Sequence, residues 1–261
     1  MRSAAFLLLA IATIVAPSPG HSAEEAAAET PPEPRTLTVD DYFKLGSVGD
    51  PQISPDGEWV AYTVSTMDLE KDTSETAIWM IPSAGGDPMR MTAVGTSASR
   101  PRWSPDSKYL SFLASRGEGK TQVWTLYRHG GEAKQHTEVK QGVSSYDWSP
   151  DSSRLVLRIK DPKPEEMESE EEDSEEQGAK KKEEKADTPP PWVVTRRQFK
   201  QDYVGYLDNR RTHLYVFDVA SKETRQLTAG DYDDSQPAWS SDGTRLAFTS
   251  NRTDDPDSNY N

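Results

Sequence analysis

Apolar residues return along this chain in short runs, each introduced by the same polar phrase. Trp59, Val60, Ala61, Tyr62 and Val64 form one run, Tyr109, Leu110 and Phe112 a second, Leu155, Val156 and Leu157 a third, and Leu246, Ala247 and Phe248 a fourth. Ahead of them stand SPDG at 54–57, SPDS at 104–107, SPDS at 149–152 and SSDG at 240–243. Pro at the second and Gly at the fourth position are favoured in a type I turn. Each phrase therefore predicts a turn that leads into a strand. The apolar runs, bounded by turn residues, read as strands buried on both faces.

A second phrase accompanies the first: TAIWMIPSAGGDPMRMT at 76–92, TQVWTLYRHGGEAKQHT at 121–137 and THLYVFDVASKETRQLT at 212–228, each an aromatic strand, a polar turn and a closing Thr. From the aromatic residue (Trp79, Trp124, Tyr215) to the closing Thr (Thr92, Thr137, Thr228) is 13 positions in all three, and from that Thr to the next Trp (Trp103, Trp148, Trp239) is 11. An ungapped unit of strand and turn, recurring at a period of about 40 to 50 residues, is the pattern of propeller blades. The expectation is an all-β fold: a partial β-propeller of about three and a half four-stranded blades, spanning 37–160 and 192–251. The interval from Trp148 to Tyr215 is 67 positions, against 21 for Trp103 to Trp124, and so contains an insertion.

Charge locates that insertion. The chain has 261 residues, no Cys and a formal charge of -14, which argues against a nucleic-acid binder. Residues 161–190 alone hold 13 acidic and five basic side chains. So little apolar content cannot repay the entropy of ordering, and the segment is expected to be a disordered acidic insertion. At the other end, Arg2, an apolar core from Ala4 to Ala16 and the small residues after it read as a signal peptide over 1–23, followed by a flexible lead over 24–36. The apolar core is shorter than the ~20 residues that span a bilayer. A secreted or periplasmic location follows, with no membrane span after cleavage, and without Cys the exported protein relies on packing and strand pairing.

The usual catalytic and metal-binding patterns are missing. There is no G-x-S-x-G elbow, no Gly-rich phosphate loop and no H-E-x-x-H pattern, so no cofactor and no metal are expected. His129 and His136 fall near a predicted turn, where exposed polar roles are expected. Asp231, Asp233 and Asp234, and later Asp254, Asp255 and Asp257, lack the ordered spacing and closing Glu of a calcium loop and read as loop acids. Trp103, Trp148 and Trp239 hold one place in each repeat, which points to core packing and not to an aromatic cage. The most distinctive stretch outside the repeats is PWVVTRRQFKQDYVGYLDNRRTHLYVFDV at 191–219. Its bases, Arg196, Arg197, Lys200, Arg210 and Arg211, stand close to Tyr203 and Tyr206 and could face an anionic group. They could equally balance the acidic insertion or lie on a solvated strand face.

The chain resembles the N-terminal propeller of prolyl-oligopeptidase-type serine peptidases, in the branch of acylaminoacyl-peptidase-like and dipeptidyl-peptidase-like enzymes. The resemblance covers about residues 36–261. It rests on LTVDDYFKLGSVGDPQISPDGEWVAYTVS, on the acidic insertion in the third repeat, and on VVTRRQFKQDYVGYLDNRRTHLYVFDV directly after it. It implies a two-domain peptidase in which a propeller covers an α/β-hydrolase domain and admits short peptides. Arg196, Arg197, Tyr206, Arg210 and Arg211 are then candidates for a substrate-facing role. The family's Ser, Asp and His triad belongs to the hydrolase domain, and no position here matches it, so the chain by itself is expected to be inactive and reads as a cut piece. The alternative is a non-enzymatic Tol-type periplasmic propeller that binds a protein or peptide, since such propellers share WSPDG repeats followed by an aromatic strand and a closing LT.

Overall fold

The computed structural model describes residues 35–117, 119–163, 193–194, 196–202 and 204–254. The expected signal peptide and nearly all of the acidic insertion lie outside the described residues. Residues 35–38 are irregular, and a compact unit begins at Val39 with a single helical turn, α1 (Val39–Tyr42), which the all-β reading did not include.

Three four-stranded antiparallel sheets follow. The first joins β1 (Ser47–Ile53), β2 (Trp59–Asp68), β3 (Thr73–Pro82) and β4 (Met89–Arg90), and the second joins β5 (Ala98–Trp103), β6 (Tyr109–Ala114), β7 (Gln122–Tyr127) and β8 (Lys134–Gln135). The third consists of β9 (Ser145–Trp148), β10 (Arg154–Lys160), β13 (Thr212–Asp218) and β14 (Thr224–Gln226). Between β10 and β13 a separate two-stranded hairpin, β11 (Lys200–Gln201) with β12 (Gly205–Tyr206), stands outside the blade. The blades therefore do not run continuously through 192–251: the residues up to Arg211 serve the insertion. Among the described residues the fourth sheet has two strands, β15 (Asp234–Trp239) and β16 (Leu246–Ser250).

The repeated turn has one chemical design. In each copy the Ser hydroxyl donates to the Asp two residues on, Ser54 to Asp56 at 2.5 Å, Ser104 to Asp106 at 2.6 Å, Ser149 to Asp151 at 2.5 Å and Ser240 to Asp242 at 2.6 Å. It also accepts the N–H of the residue at or just before the start of the next strand, Trp59, Tyr109, Arg154 or Arg245, at 2.9–3.0 Å. Hydrogen bonds from Ser149 and Ser240 hold the Asp151 and Asp242 carboxyls down at about 2. The fourth turn position is left-handed in every copy, with φ +73° at Gly57 and +68° at Gly243, and Ser107 and Ser152 accept the same conformation. Glycine there avoids a steric cost.

The closing Thr explains the constant 13-residue interval. Thr92, Thr137 and Thr228 each accept through Oγ1 the N–H just before the aromatic position, from Ile78 at 3.0 Å, Val123 at 2.9 Å and Leu214 at 2.9 Å. The hydroxyl continues the ladder where the short outer strand has ended.

The core lies between blades. Ala61, Ile78 and Met80 of the first blade pack on Leu110, Phe112, Ala114 and Leu126 of the second. Leu113 and Val123 on the second blade's other face pack on Tyr146, Trp148, Leu155, Leu157, Ile159 and Phe217 of the third. Burial on both faces thus holds for β6 and β10, which have a blade on each side, while β2 alternates and β16 is largely exposed. Among the described residues no further sheet covers the outer face of the first or fourth.

Candidate functional site

The insertion returns to the third blade through a set of ion pairs. β10 delivers Lys160 and β13 begins just after Arg211, so the segment between must anchor at these two points. Asp208 is the hub: its carboxylate takes Lys160 Nζ at 2.9 Å and Arg210 Nε at 2.7 Å, and its carbonyl takes Arg196 Nη1 at 2.9 Å. Burial by itself would raise the Asp208 carboxyl; the hydrogen bonds from Lys160 and Arg210 outweigh it and hold the group below the ordinary range. Arg211 points instead to the start of the fourth blade, with Nε 2.7 Å from Asp231 and Nη1 3.4 Å from Asp233. Tyr206 stands on the hairpin, its ring stacked on Phe199 at 6.4 Å with Lys200 Nζ 5.8 Å above it, and Arg197 is exposed nearby.

The structure therefore brings Arg196 and Arg210 together and separates Arg211 from them. Arg210 and Arg211 are held by carboxylates of the chain itself. The loop acids have this structural use: Asp231 and Asp233 receive Arg211, and buried Asp234 lies 3.4 Å from Nδ1 of His213. The other ring nitrogen of His213 faces Asp161 at 3.5 Å, so both nitrogens of this buried imidazole meet carboxylates and neither meets a hydroxyl nucleophile. His136 also departs from the exposed role expected of it. It is half-buried against Trp148 and receives Lys222 Nζ at 2.8 Å, and burial with the Lys222 charge lowers it to about 4. It lines a cleft of about 490 Å³ between the second and third blades, with Tyr109, Tyr127 and Trp148.

A second polar group escaped sequence reasoning. The first strands of the blades adjoin in space, β1 beside β5, β5 beside β9 and β9 beside β15, while the fourth strands close the opposite edges of their sheets. The first strands thus form an inner wall. In three of them a bulge precedes the turn, at Asp50-Pro51, Arg100-Pro101 and Gln236-Pro237, with φ +45°, +53° and +50° before the proline. Arg102 Nη1 binds both oxygens of Asp50 at 3.0 and 3.1 Å and ties the first two blades. Asp147, on the bulge-free β9, is held above the ordinary range by burial, against the charges of Arg102 and Arg100. The available signal was the recurrence of a polar residue and proline four and three places before the turn.

No family model matches the chain. Over 223 residues it is 30% identical to a peptidase of Bacillus subtilis, YuxL, an alignment that covers 85% of this chain and 32% of the relative. Among solved structures, the acylaminoacyl peptidase of Pyrococcus horikoshii superposes with a TM-score of 0.52 at 22% identity, over 75% of this chain and 27% of that one. The resemblance to the propeller portion of prolyl-oligopeptidase-type peptidases holds. An acylaminoacyl peptidase in complex with Z-Gly-Gly-Phe-chloromethyl ketone gives a TM-score of 0.53 at 21% identity over the same shares. The chain spans about a third of the length of the curated relative it matches.

Proposed function

We propose that this propeller gates substrate access in a secreted or periplasmic serine peptidase that acts on short peptides, with catalysis residing in a hydrolase domain beyond the 261 residues. The observation that carries the reading is the peptidase relative, aligned over 223 residues of this chain. Support comes from the acylaminoacyl-peptidase neighbours, one of which holds a peptidyl chloromethyl ketone. The export signal read in residues 1–23 supports the location. In this reading the inner wall and the insertion carrying Arg196, Arg197, Tyr206, Arg210 and Arg211 face the peptide. Arg196 and Arg210, gathered at Asp208, are placed to exchange their internal partner for an anionic group of the substrate.

The test is binding by the 261-residue chain of fluorescent peptides of graded length, together with a serine-reactive probe. Saturable binding of short peptides, weakening as length grows, and no probe labelling are expected. Equal affinity for short peptides and long unfolded chains would overturn the gating role, and labelling at a single serine would overturn the placement of catalysis elsewhere.

A further inference from the structure

We propose that Arg100 is an anchor on the inner wall for a peptide carboxylate, an inference that rests on the peptide-gating reading above. On the inner wall Asp50 and Arg102 pair with each other, whereas neither Arg100 nor Asp147 makes an ion pair within the described residues. Asp50 is taken by Arg102 and also receives Gln52 Nε2 at 2.9 Å. Arg102 in turn donates to the Pro101 carbonyl at 2.6 Å, and Gln236 is 3.4 Å from the Thr249 hydroxyl. Arg100 alone among these makes no side-chain hydrogen bond or ion pair within the described residues, and its Nε is sealed from solvent without a partner. A sealed guanidinium donor without an acceptor is costly, because its hydration is lost and nothing replaces it.

Asp147 acts on Arg100 only through its charge; its Oδ1 accepts the N–H of Trp148 at 2.9 Å, and burial favours its protonated form. Asp147 thus gives the Arg100 guanidinium no direct hydrogen bond or ion pair within the described residues.

A left-handed conformation is uncommon for a long, non-glycine residue, yet Arg100 holds φ +53°. The same conformation precedes Pro51 and Pro237, and at Arg100 the hydroxyl of Tyr146, fully buried in the third blade, additionally donates to the carbonyl at 2.9 Å. A bulge re-aims the side chain it carries, and a strained residue that its surroundings over-determine points to a role beyond packing. With Nε sealed, the two Nη groups of half-buried Arg100 are the donors left to meet a planar carboxylate, which accepts two parallel hydrogen bonds. That carboxylate is either the C-terminus of a short peptide or an acidic side chain.

The experiment titrates the 261-residue chain at pH 7 with N-acetyl-Gly-Gly-Phe, its C-terminal amide, and the amide of N-acetyl-Glu-Gly-Phe. The free acid is expected to bind about tenfold or more tightly than the plain amide, as a charge-assisted pair would give. Arg100→Gln should reduce the acid to the affinity of the amide and leave the amide unchanged, and Arg100→Lys should retain part of the preference. Tyr146→Phe keeps the ring and removes the hold on the carbonyl, so it should narrow the ratio even if Arg100→Gln fails to fold. Preference for the Glu-containing amide over the plain amide assigns the anchor to side-chain carboxylates. Equal binding of all three peptides overturns the anchor and leaves peptide gating standing, as does an undiminished ratio in a natively folded Arg100→Gln. If no peptide binds, both fall.

Discussion

Trp148 and Trp239 occupy the same place in successive repeats, each one residue before a Ser-x-Asp turn, yet their indole N–H groups meet different surroundings. Trp148 Nε1 reaches back into the second blade and donates to Ser111 Oγ at 2.8 Å; Ser111 donates onward to the Arg102 carbonyl at 2.8 Å and lies 2.9 Å from the Tyr146 hydroxyl. Eight residues beyond the Trp of the third blade, where the second has Ser111, stands Val156. Trp239 Nε1 is buried and has no hydrogen bond among the described residues, and the indole is covered by the Arg154 guanidinium, 5.2 Å from its ring centroid. One junction is thus closed by a hydroxyl shared among three partners, the other by a cation over a ring and by Arg154 Nη2 on the Gly243 carbonyl at 3.0 Å. The repeat conserves the place of the aromatic group but not the way its polar atom is satisfied.

The largest effect in this contrast is expected at the aromatic anchor of the closed junction. Trp148→Ala empties a site in the core between the second and third blades and should destabilise by about 3–5 kcal/mol, whereas Trp239→Ala, at a half-buried ring, should cost less than half as much; chemical denaturation of both variants checks this. Acidification should act on the same closed junction through His136. Its folded pKa of about 4 lies below the unfolded value of 6.5, so the unfolded state binds the extra proton. The stabilisation is present at pH 7 and is lost as pH falls from about 6.5 toward 4, by of the order of 2 kcal/mol. His136→Gln should flatten that part of the stability profile. A flat profile in the parent chain would mean that His136 is solvated.

Ser111→Ala should cost about 1–3 kcal/mol, since it strands a buried indole N–H and removes an acceptor from Tyr146. The smallest effect should come from converting the open junction to the closed design. Val156→Ser gives Trp239 an acceptor but loses apolar burial, so it should be more stable than Val156→Ala by about 1 kcal/mol. If the two melt together, Trp239 is served by water.

The parts of this structure that sequence revealed are those in which cause and effect lie within a few residues. Ser54, Asp56 and Gly57 make a complete turn among themselves, and the constant interval ending in Thr92, Thr137 and Thr228 records a hydrogen bond that needs that length. The blades, the insertion and the packing role of Trp103 and Trp148 were legible for this reason. Arg100, Ser111 and Tyr146 were not, because their partners come from another blade and no local period marks them. The five basic candidates at 196–211 were legible as a charge cluster, but Asp208, Asp231 and Asp233, which sort them, looked like ordinary loop acids. Burial of the apolar runs was misjudged at β16 because a strand's sequence does not tell whether a neighbour stands on each side.

The Thr clasp also bears on the order in which the chain folds. It joins residues 14 apart, whereas the junction bonds from Tyr146 and Trp148 to Ser111 span 35 and 37 positions and the Arg102–Asp50 pair spans 52. Loop closure disfavours the longer spans, and rates fall as contacts grow more distant in sequence. The outer hairpins can therefore close independently, each clasped by its own threonine, before any blade finds its neighbour. Assembly then becomes a nearest-neighbour process along a row of preformed units, and amide exchange at Ile78, Val123 and Leu214 should report hairpin closure earlier than the indole signals of Trp103 and Trp148 report docking.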